Sequence, residues 1–255
     1  MKDIQNSFDR RGIGIDKVGI KNIRYPITVL DRANGIQHTI ASINMYVDLP
    51  KQFKGTHMSR FIEILNEHRG NINIRDYPGI LESMQDRFNA HSAHLEIEFP
   101  YFIEKKAPVT RSRSLMEYHC KFTGVRNGTG TDIMLMVRVP VLTLCPCSKE
   151  ISRYGAHNQR GFVTVHIRFK GLVWIEDVVE MVEGSVSAQL FSLLKRPDEK
   201  YITEHAYDHP MFVEDVVREV AGKLKKNKKI TGFSVEAENL ESIHNHNVYA
   251  YVESR

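Results

Sequence analysis

Residues 20–49 read IKNIRYPITVLDRANGIQHTIASINMYVDL, and the architecture follows from them. Residues 20–30 and 36–49 are rich in β-branched and aromatic side chains, the types that suit a pleated, half-buried surface. They flank Ala33-Asn34-Gly35. Asn-Gly is a strong hairpin signal because both residues tolerate positive φ. Downstream, Met58, Phe61, Ile62 and Leu65 recur at helical spacing, with Thr56 as the expected N-cap and Gly70 as the expected stop. A second helix is expected over about 78–89, with Ile80, Leu81, Met84 and Phe88 on one face. Strands return at 95–99, which alternates cleanly, and around 118–125. The first half therefore reads strand, strand, helix, helix, strand, strand.

The second half repeats that order. Residues 133–144 read as a strand. Val163, Val165, Ile167 and Phe169 alternate with Thr164, His166 and Arg168 in the next one. Ile175, Val178, Val179, Val182 and Val186 form one helical stripe, and Val213, Val216, Val217, Val220 and Leu224 form another. Residues 233–237 and 248–252 close the half as strands. The repeat is one of architecture, not of residue identity. Asn127-Gly128-Thr129-Gly130 is the expected hairpin between the halves. The expected fold class is α+β, with two tandem modules, each an antiparallel four-stranded sheet with two helices on one face. Residues 1–18 would be a loose arm, 19–130 the first module and 131–255 the second. Helices would cover one face of each sheet, and the other needs a neighbour. That predicts an oligomer.

Composition narrows the function classes. The chain has 255 residues, 42% hydrophobic and 26% charged, an ordinary globular balance. No apolar run approaches the roughly 18–20 residues that cross a bilayer, so no membrane partner is expected. The polar N-terminus lacks the apolar region of a signal peptide. Three cysteines do not suggest a disulfide framework and point to the reducing cytoplasm. A net charge of +4 suits an anionic small molecule. The lysine run at 223, 225, 226, 228 and 229 reads as the solvated last turn of a helix. No aromatic residues interleave it, so no nucleic-acid partner is expected.

The chemistry concentrates in Cys145-Pro146-Cys147-Ser148-Lys149-Glu150 and Gly155-Ala156-His157-Asn158-Gln159-Arg160. Thiolate and imidazole together favour zinc or a similar divalent ion. Pro146 stiffens the backbone between the sulfurs. From the residues alone, both cysteines are open as ligands of one metal. Lys149 and Arg160 give the segment a positive field for phosphate. The tail carries Glu241, His244 and His246, an acid and two histidines fit for metal ligation or proton transfer. Glu214 falls near a helix start marked by Asp208, His209 and Pro210, where it either complements the dipole or contacts a ligand. Glu199 reads only as an acid in a polar connection between helices. Residues 54–60, with His57 and Arg60, form either an anion cradle at a helix N-terminus or an ordinary capped helix.

Taken together, these motifs resemble the prokaryotic GTP cyclohydrolase type IB family over nearly the whole chain. The resemblance implies a tunnelling fold (T-fold) with two modules fused in one chain. It implies a homotetramer with active sites at subunit interfaces. The implied reaction converts GTP and water to 7,8-dihydroneopterin triphosphate and formate, the first step of tetrahydrofolate and pterin biosynthesis. Cys145, His157 and Glu199 match the family's metal ligands, and Glu214 matches the acid that anchors guanine. One divalent metal per subunit is implied, zinc first, with manganese or iron as alternatives. Metal-bound water would attack C8 of guanine. Cys147, Glu241, His244 and His246 match active-site segments, and one of the two histidines would protonate a ring nitrogen. Lys149, Arg160, His57 and Arg60, with Arg111 or Arg113 as a further choice, are the candidates for the triphosphate. The resemblance leaves Cys147 unligated. Three competing readings remain: an archaeal-type cyclohydrolase that yields a cyclic phosphate, a non-catalytic pterin- or nucleotide-binding protein, and a structural zinc module.

Overall fold

The structure is a computed structural model that describes residues 4, 5, 7–68, 72 and 74–254. The backbone divides into two compact units. One comprises residues up to 100 together with 121–135, and the other comprises 101–120 together with 136–255. The expected helix stop at Gly70 lies outside the described residues.

In the first unit, β1 (Ile15–Asp31) and β2 (Gly35–Leu49) form the predicted hairpin, closing at the pair Asp31 and Gly35. The turn uses less of the Asn-Gly signal than expected. Only Gly35 takes positive φ, at 81°. The other device is Asp31, whose carboxylate accepts the backbone N–H groups of Ala33 (2.8 Å) and Asn34 (2.7 Å). Alternate residues Ala41, Ile43, Met45 and Val47 of β2 are buried, as are Ala93, Leu95 and Ile97 of β3 (Ser92–Lys106). The intervening helices α1 (Ser59–Glu67) and α2 (Tyr77–Phe88) bury Phe61, Ile64, Leu65, Ile80, Leu81 and Met84. Each such side chain taken from water contributes about 1.5–3 kcal/mol. The N-cap of α1 is Met58 without a side-chain cap, so Thr56 does not cap it.

Strands β4 (Arg113–Asn127) and β5 (Gly130–Leu144) follow, joined by the tight turn at Gly128. In the second unit, α3 (Pro146–Ile151) precedes β6 (Asn158–Phe169). Next come α4 (Ile175–Glu183), the two-residue β7 (Ala188–Gln189), α5 (Arg196–Asp208) and α6 (Val213–Lys226). Strands β8 (Ile230–Asn239) and β9 (Val248–Glu253) complete the chain. The core here comprises Val137, Val139, Val163, Val165, Ile167 and Val235 with the valine stripes of α4 and α6. Beneath α4, Tyr118 (2.7 Å) and Lys105 (2.7 Å) both donate to Glu183, and Tyr101 donates to Glu176 (2.8 Å). Burial, and then the Glu183 charge, push the Tyr118 phenol far up. Burial lowers the Lys105 ammonium, and Glu183 offsets part of that.

The expected fold class requires correction. A tunnelling fold of two tandem modules, each with its own four-stranded sheet, is not what the strand pairing gives. The described strands form one nine-stranded antiparallel sheet in the order β1-β2-β3-β4-β5-β6-β8-β9, with β7 on β5. The physical reason is the turn after Asn127. A hairpin that tight pairs the strands it joins, so β4 and β5 are neighbours in one sheet. The second half also holds two helices that the periodicity missed, α3 and α5.

Gly124 and Gly79 test the first unit's packing. A Cβ on Gly124 would lie 2.2 Å from the ring of Tyr77, while one on Gly79 of α2 meets nothing. Tyr77 cannot retreat, because it is fully buried and its hydroxyl donates to the carbonyls of Leu95 and Phe122. Gly124→Ala should therefore destabilise by about 1–3 kcal/mol. Gly79→Ala should instead stabilise by about 0.5–1 kcal/mol. Denaturant unfolding midpoints check both.

Candidate functional site

The second unit brings Cys145 and His157 together at the ends of β5 and β6. The Cys145 N–H donates to the His157 carbonyl (3.1 Å), one bond beyond the strands themselves. Cys145 is the N-cap of α3, with Pro146 in its first turn, and its sulfur accepts the Ser148 N–H at 3.4 Å. Ser148 staples the junction. Its hydroxyl donates to the Cys145 carbonyl (3.1 Å) and accepts the His157 N–H (3.2 Å). Cys147, one position into α3, is exposed.

Three polar groups surround Nδ1 of His157. The side-chain oxygen of Gln159 lies at 3.1 Å, the Ser242 hydroxyl at 3.3 Å and Oε2 of Glu241 at 4.0 Å. Glu241 is nearly buried, and that oxygen has no hydrogen-bond partner. An orphaned carboxylate oxygen beside an imidazole is costly unless a cation or a proton donor meets it. His244 and His246 follow in the same loop. They are exposed and stack on one another, with ring centroids 5.2 Å apart.

Other predicted site residues sit on the elements around this junction. Met211 N–H donates to the Leu144 carbonyl (3.1 Å), which ties the start of α6 to the residue before Cys145. Glu214 is exposed in the first turn of α6. That helix begins at Val213, after Pro210, whereas Asp208 ends α5 rather than opening α6. Arg160 is exposed on β6, and its carbonyl accepts the Leu240 N–H (2.9 Å). Lys149 is already engaged. Its ammonium donates to the Tyr207 carbonyl at 2.5 Å, at the C-terminus of α5, and lies over the Tyr207 ring. His57 and Arg60 belong to the first unit. They line a cavity of about 160 Å³ beside Asp48, Thr56 and Arg87, and Arg60 donates to the Arg87 carbonyl (3.3 Å).

Glu199 lies not in a loop but in the exposed first turn of α5. Among the described residues, no three His, Cys, Asp or Glu side chains form a metal-holding group. Cys145 and His157 thus supply a soft donor pair that fits zinc or a similar ion, and Glu199 is not brought beside them within one chain. A second cavity, of about 530 Å³, lies elsewhere in this unit against Lys105, Glu183, Phe191, Tyr201 and His205.

Sequence reasoning missed two supporting residues. Gln159 shares the odd-numbered, inward phase of Val163, Val165 and Ile167. A polar residue at a core position was the available signal. Asp198, read as part of a polar linker, is fully buried. It accepts from the N–H groups of Val109 and Thr110 (2.9 Å each), the Thr110 hydroxyl (2.6 Å) and the Lys195 N–H (3.0 Å). It therefore anchors the turn that carries Glu199.

A family model described as type I GTP cyclohydrolase FolE2 matches residues 1–250. GTP cyclohydrolase FolE2 of Syntrophobacter fumaroxidans is 59% identical over 254 residues, covering 99% of both chains. That of Syntrophus aciditrophicus is 62% identical over 253 residues, again covering 99% of both. Among solved structures, a uricase from Bacillus fastidious aligns at a TM-score of 0.58 with 8% identity, covering 96% of this chain and 94% of that one. Uricase from Arthrobacter globiformis aligns at 0.50 with 12% identity, covering 95% and 93%. At such identities the uricases share the fold alone. This chain belongs to the type I GTP cyclohydrolase FolE2 family, a coarser statement that replaces the IB label.

Asp198 generates a pH prediction. Burial works to raise its pKa, but hydrogen bonds from Thr110, Lys195 and Val109 outweigh it and hold the carboxyl well below the usual carboxylate range. A depressed folded pKa gives stability that is full above the unfolded value of about 4 and is lost as pH falls toward the folded value. Asp198→Asn should be less stable than the parent at pH 7. The gap should narrow progressively below about pH 4. Urea midpoints at pH 7 and at successively lower pH measure it.

Proposed function

We propose that this chain converts GTP and water to 7,8-dihydroneopterin triphosphate and formate, with Cys145, His157 and Glu199 holding one divalent metal. The activity follows from membership. At 59% and 62% identity over nearly the full length of both chains, this is a GTP cyclohydrolase of folate biosynthesis. The observation that supports the metal reading is the junction at which the Cys145 N–H meets the His157 carbonyl. When bound, the metal supplies Lewis-acid activation of water near neutral pH. Zinc suits a thiolate–imidazole set best, with manganese or iron as alternatives.

The chain's own residues then divide the work. The Glu214 carboxylate accepts from guanine N1–H and the exocyclic amine, a pair that adenine does not offer. His244 or His246, on the exposed loop beside Glu241, delivers a proton to a ring nitrogen as the imidazole ring opens. Cys147, exposed two residues past the metal donor, faces substrate unligated. Arg160, His57 and Arg60 neutralise the triphosphate, some of them contributed by a neighbouring chain of a homotetramer. The Lys149 contact with Tyr207 gives that residue a bracing task instead. No described helix is long and apolar enough to cross a membrane, and the enzyme's place is the cytoplasm.

One panel of variants tests the reading. Cys145→Ala should lose both metal and pterin formation, while Cys147→Ala should keep metal and lose most turnover. Elemental analysis beside pterin fluorescence decides, and equal metal loss in both variants would make both cysteines ligands. In the same assays, Glu214→Gln should weaken GTP by roughly ten-fold to over a hundred-fold, the equivalent of about 1.5–3 kcal/mol for one charge-assisted bond. Unchanged kinetics would reduce Glu214 to a helix-dipole partner. Light scattering on the parent should give four chains, and a fully active monomer would contradict the assembly. Mass analysis of the product separates the neopterin triphosphate from a cyclic phosphate.

A further inference from the structure

Gln159 is a buried polar side chain at the junction. It is 6% exposed, and its amide nitrogen donates to the hydroxyl of Thr143 (3.0 Å), which is itself 1% exposed. Its amide oxygen lies 3.1 Å from Nδ1 of His157. That pair alone does not fix where the imidazole proton sits. A hydroxyl both donates and accepts, so a rotated amide would satisfy Thr143 equally well and would turn its N–H₂ toward the ring.

Glu241 breaks the tie. Its side chain is 8% exposed, and the oxygen facing Nδ1 at 4.0 Å has no hydrogen-bond partner. In a poorly solvated pocket a carboxylate favours a proton on the nitrogen that faces it, and disfavours a lone pair there. With a proton on Nδ1, the amide oxygen of Gln159 accepts it, Ser242 at 3.3 Å acts as a second acceptor, and the Glu241 charge faces a positive dipole. With the proton on Nε2, Glu241 would confront a lone pair, and Gln159 and Ser242 would have to turn their donors toward the ring.

We propose that Glu241 and Gln159 together hold His157 with its proton on Nδ1, Glu241 through the charge that faces that nitrogen and Gln159, anchored by Thr143, as the positioning residue that accepts the hydrogen bond. Nε2 is thereby presented as the electron-pair donor. The consequence for the metal rests on the reading of His157 as a ligand; the tautomer itself does not. An imidazole whose other nitrogen donates a hydrogen bond is a better-oriented and more basic ligand, and loss of such a partner typically costs about 10–100-fold in metal affinity. A histidine side chain in water prefers the opposite tautomer, so the site is expected to work against the ring's own preference.

The test is nitrogen-15 NMR of histidine-labelled, metal-free full-length protein at neutral pH, with zinc affinity measured separately by chelator competition. His157 should carry its proton on Nδ1 in the parent and in Gln159→Glu, which keeps an acceptor at that position. Glu241→Gln, which removes the charge that decides between the tautomers, should shift it toward the Nε2–H form, and Gln159→Leu, which removes the acceptor, should weaken zinc by about 10–100-fold. Thr143→Val, which removes only the anchor of the amide, should weaken zinc in the same direction and covers the case in which Gln159→Leu fails to fold. An Nε2–H ring in the parent, or an unchanged tautomer in Glu241→Gln, would overturn the proposal. A shifted tautomer with unchanged zinc affinity would uphold the positioning role and sink the ligand assignment of His157 instead.

Discussion

A single backbone hydrogen bond organises the candidate site, the one from the Cys145 N–H to the His157 carbonyl. It continues the β5–β6 neighbourhood past the last residue of β5, so the backbones that carry the thiol and the imidazole are fixed by sheet geometry before any side chain contributes. Ser148 repeats the constraint through its hydroxyl, and Pro146 at the start of α3 narrows the path of the chain between them. Two further tethers converge on the same place. Met211 binds the Leu144 carbonyl, and Lys149 binds the end of α5. Through those contacts the start of α6, which carries Glu214, and the end of α5 are referenced to the cysteine motif. Strand ends suit such a site because the sheet behind them is rigid while their side chains are free to diverge.

Two clusters of buried polar groups in the second unit are paired. Lys105, Tyr118 and Glu183 satisfy one another, and Asp198 accepts four hydrogen bonds. Glu241 departs from that pattern with one oxygen unmet. A carboxylate oxygen left open beside His157 marks a place where a proton or a cation belongs.

Much of the fold was legible in the residues. The Asn34-Gly35 hairpin, the alternation at 163–169 and the valine stripes of α4 and α6 all appear where the periodicity puts them, because tertiary burial and local pattern agree there. The sheet's continuity was misread at Asn127-Gly128, where a turn tight enough to join two modules is also tight enough to pair their strands. Helix α5 was missed because Arg196-Pro197 resembles a linker and its sequence carries few apolar positions. Asp198 supplies the anchor that propensity does not show. The cysteine–histidine pair was readable from its chemistry. Its supports Ser148 and Thr143 were not, since each depends on which strand ends meet in space, and Gln159 showed only as a polar residue at an inward strand position. The relation of Glu199 to the pair depends on contacts beyond this chain's local order and is carried by family likeness.

X-ray absorption at the zinc edge of the loaded protein tests the central claim most directly. One sulfur at about 2.3 Å together with nitrogen or oxygen ligands at about 2.0–2.2 Å is the predicted shell, with an imidazole contribution from His157. Two sulfurs, or none, would contradict a site built on Cys145 and His157 with Cys147 left free.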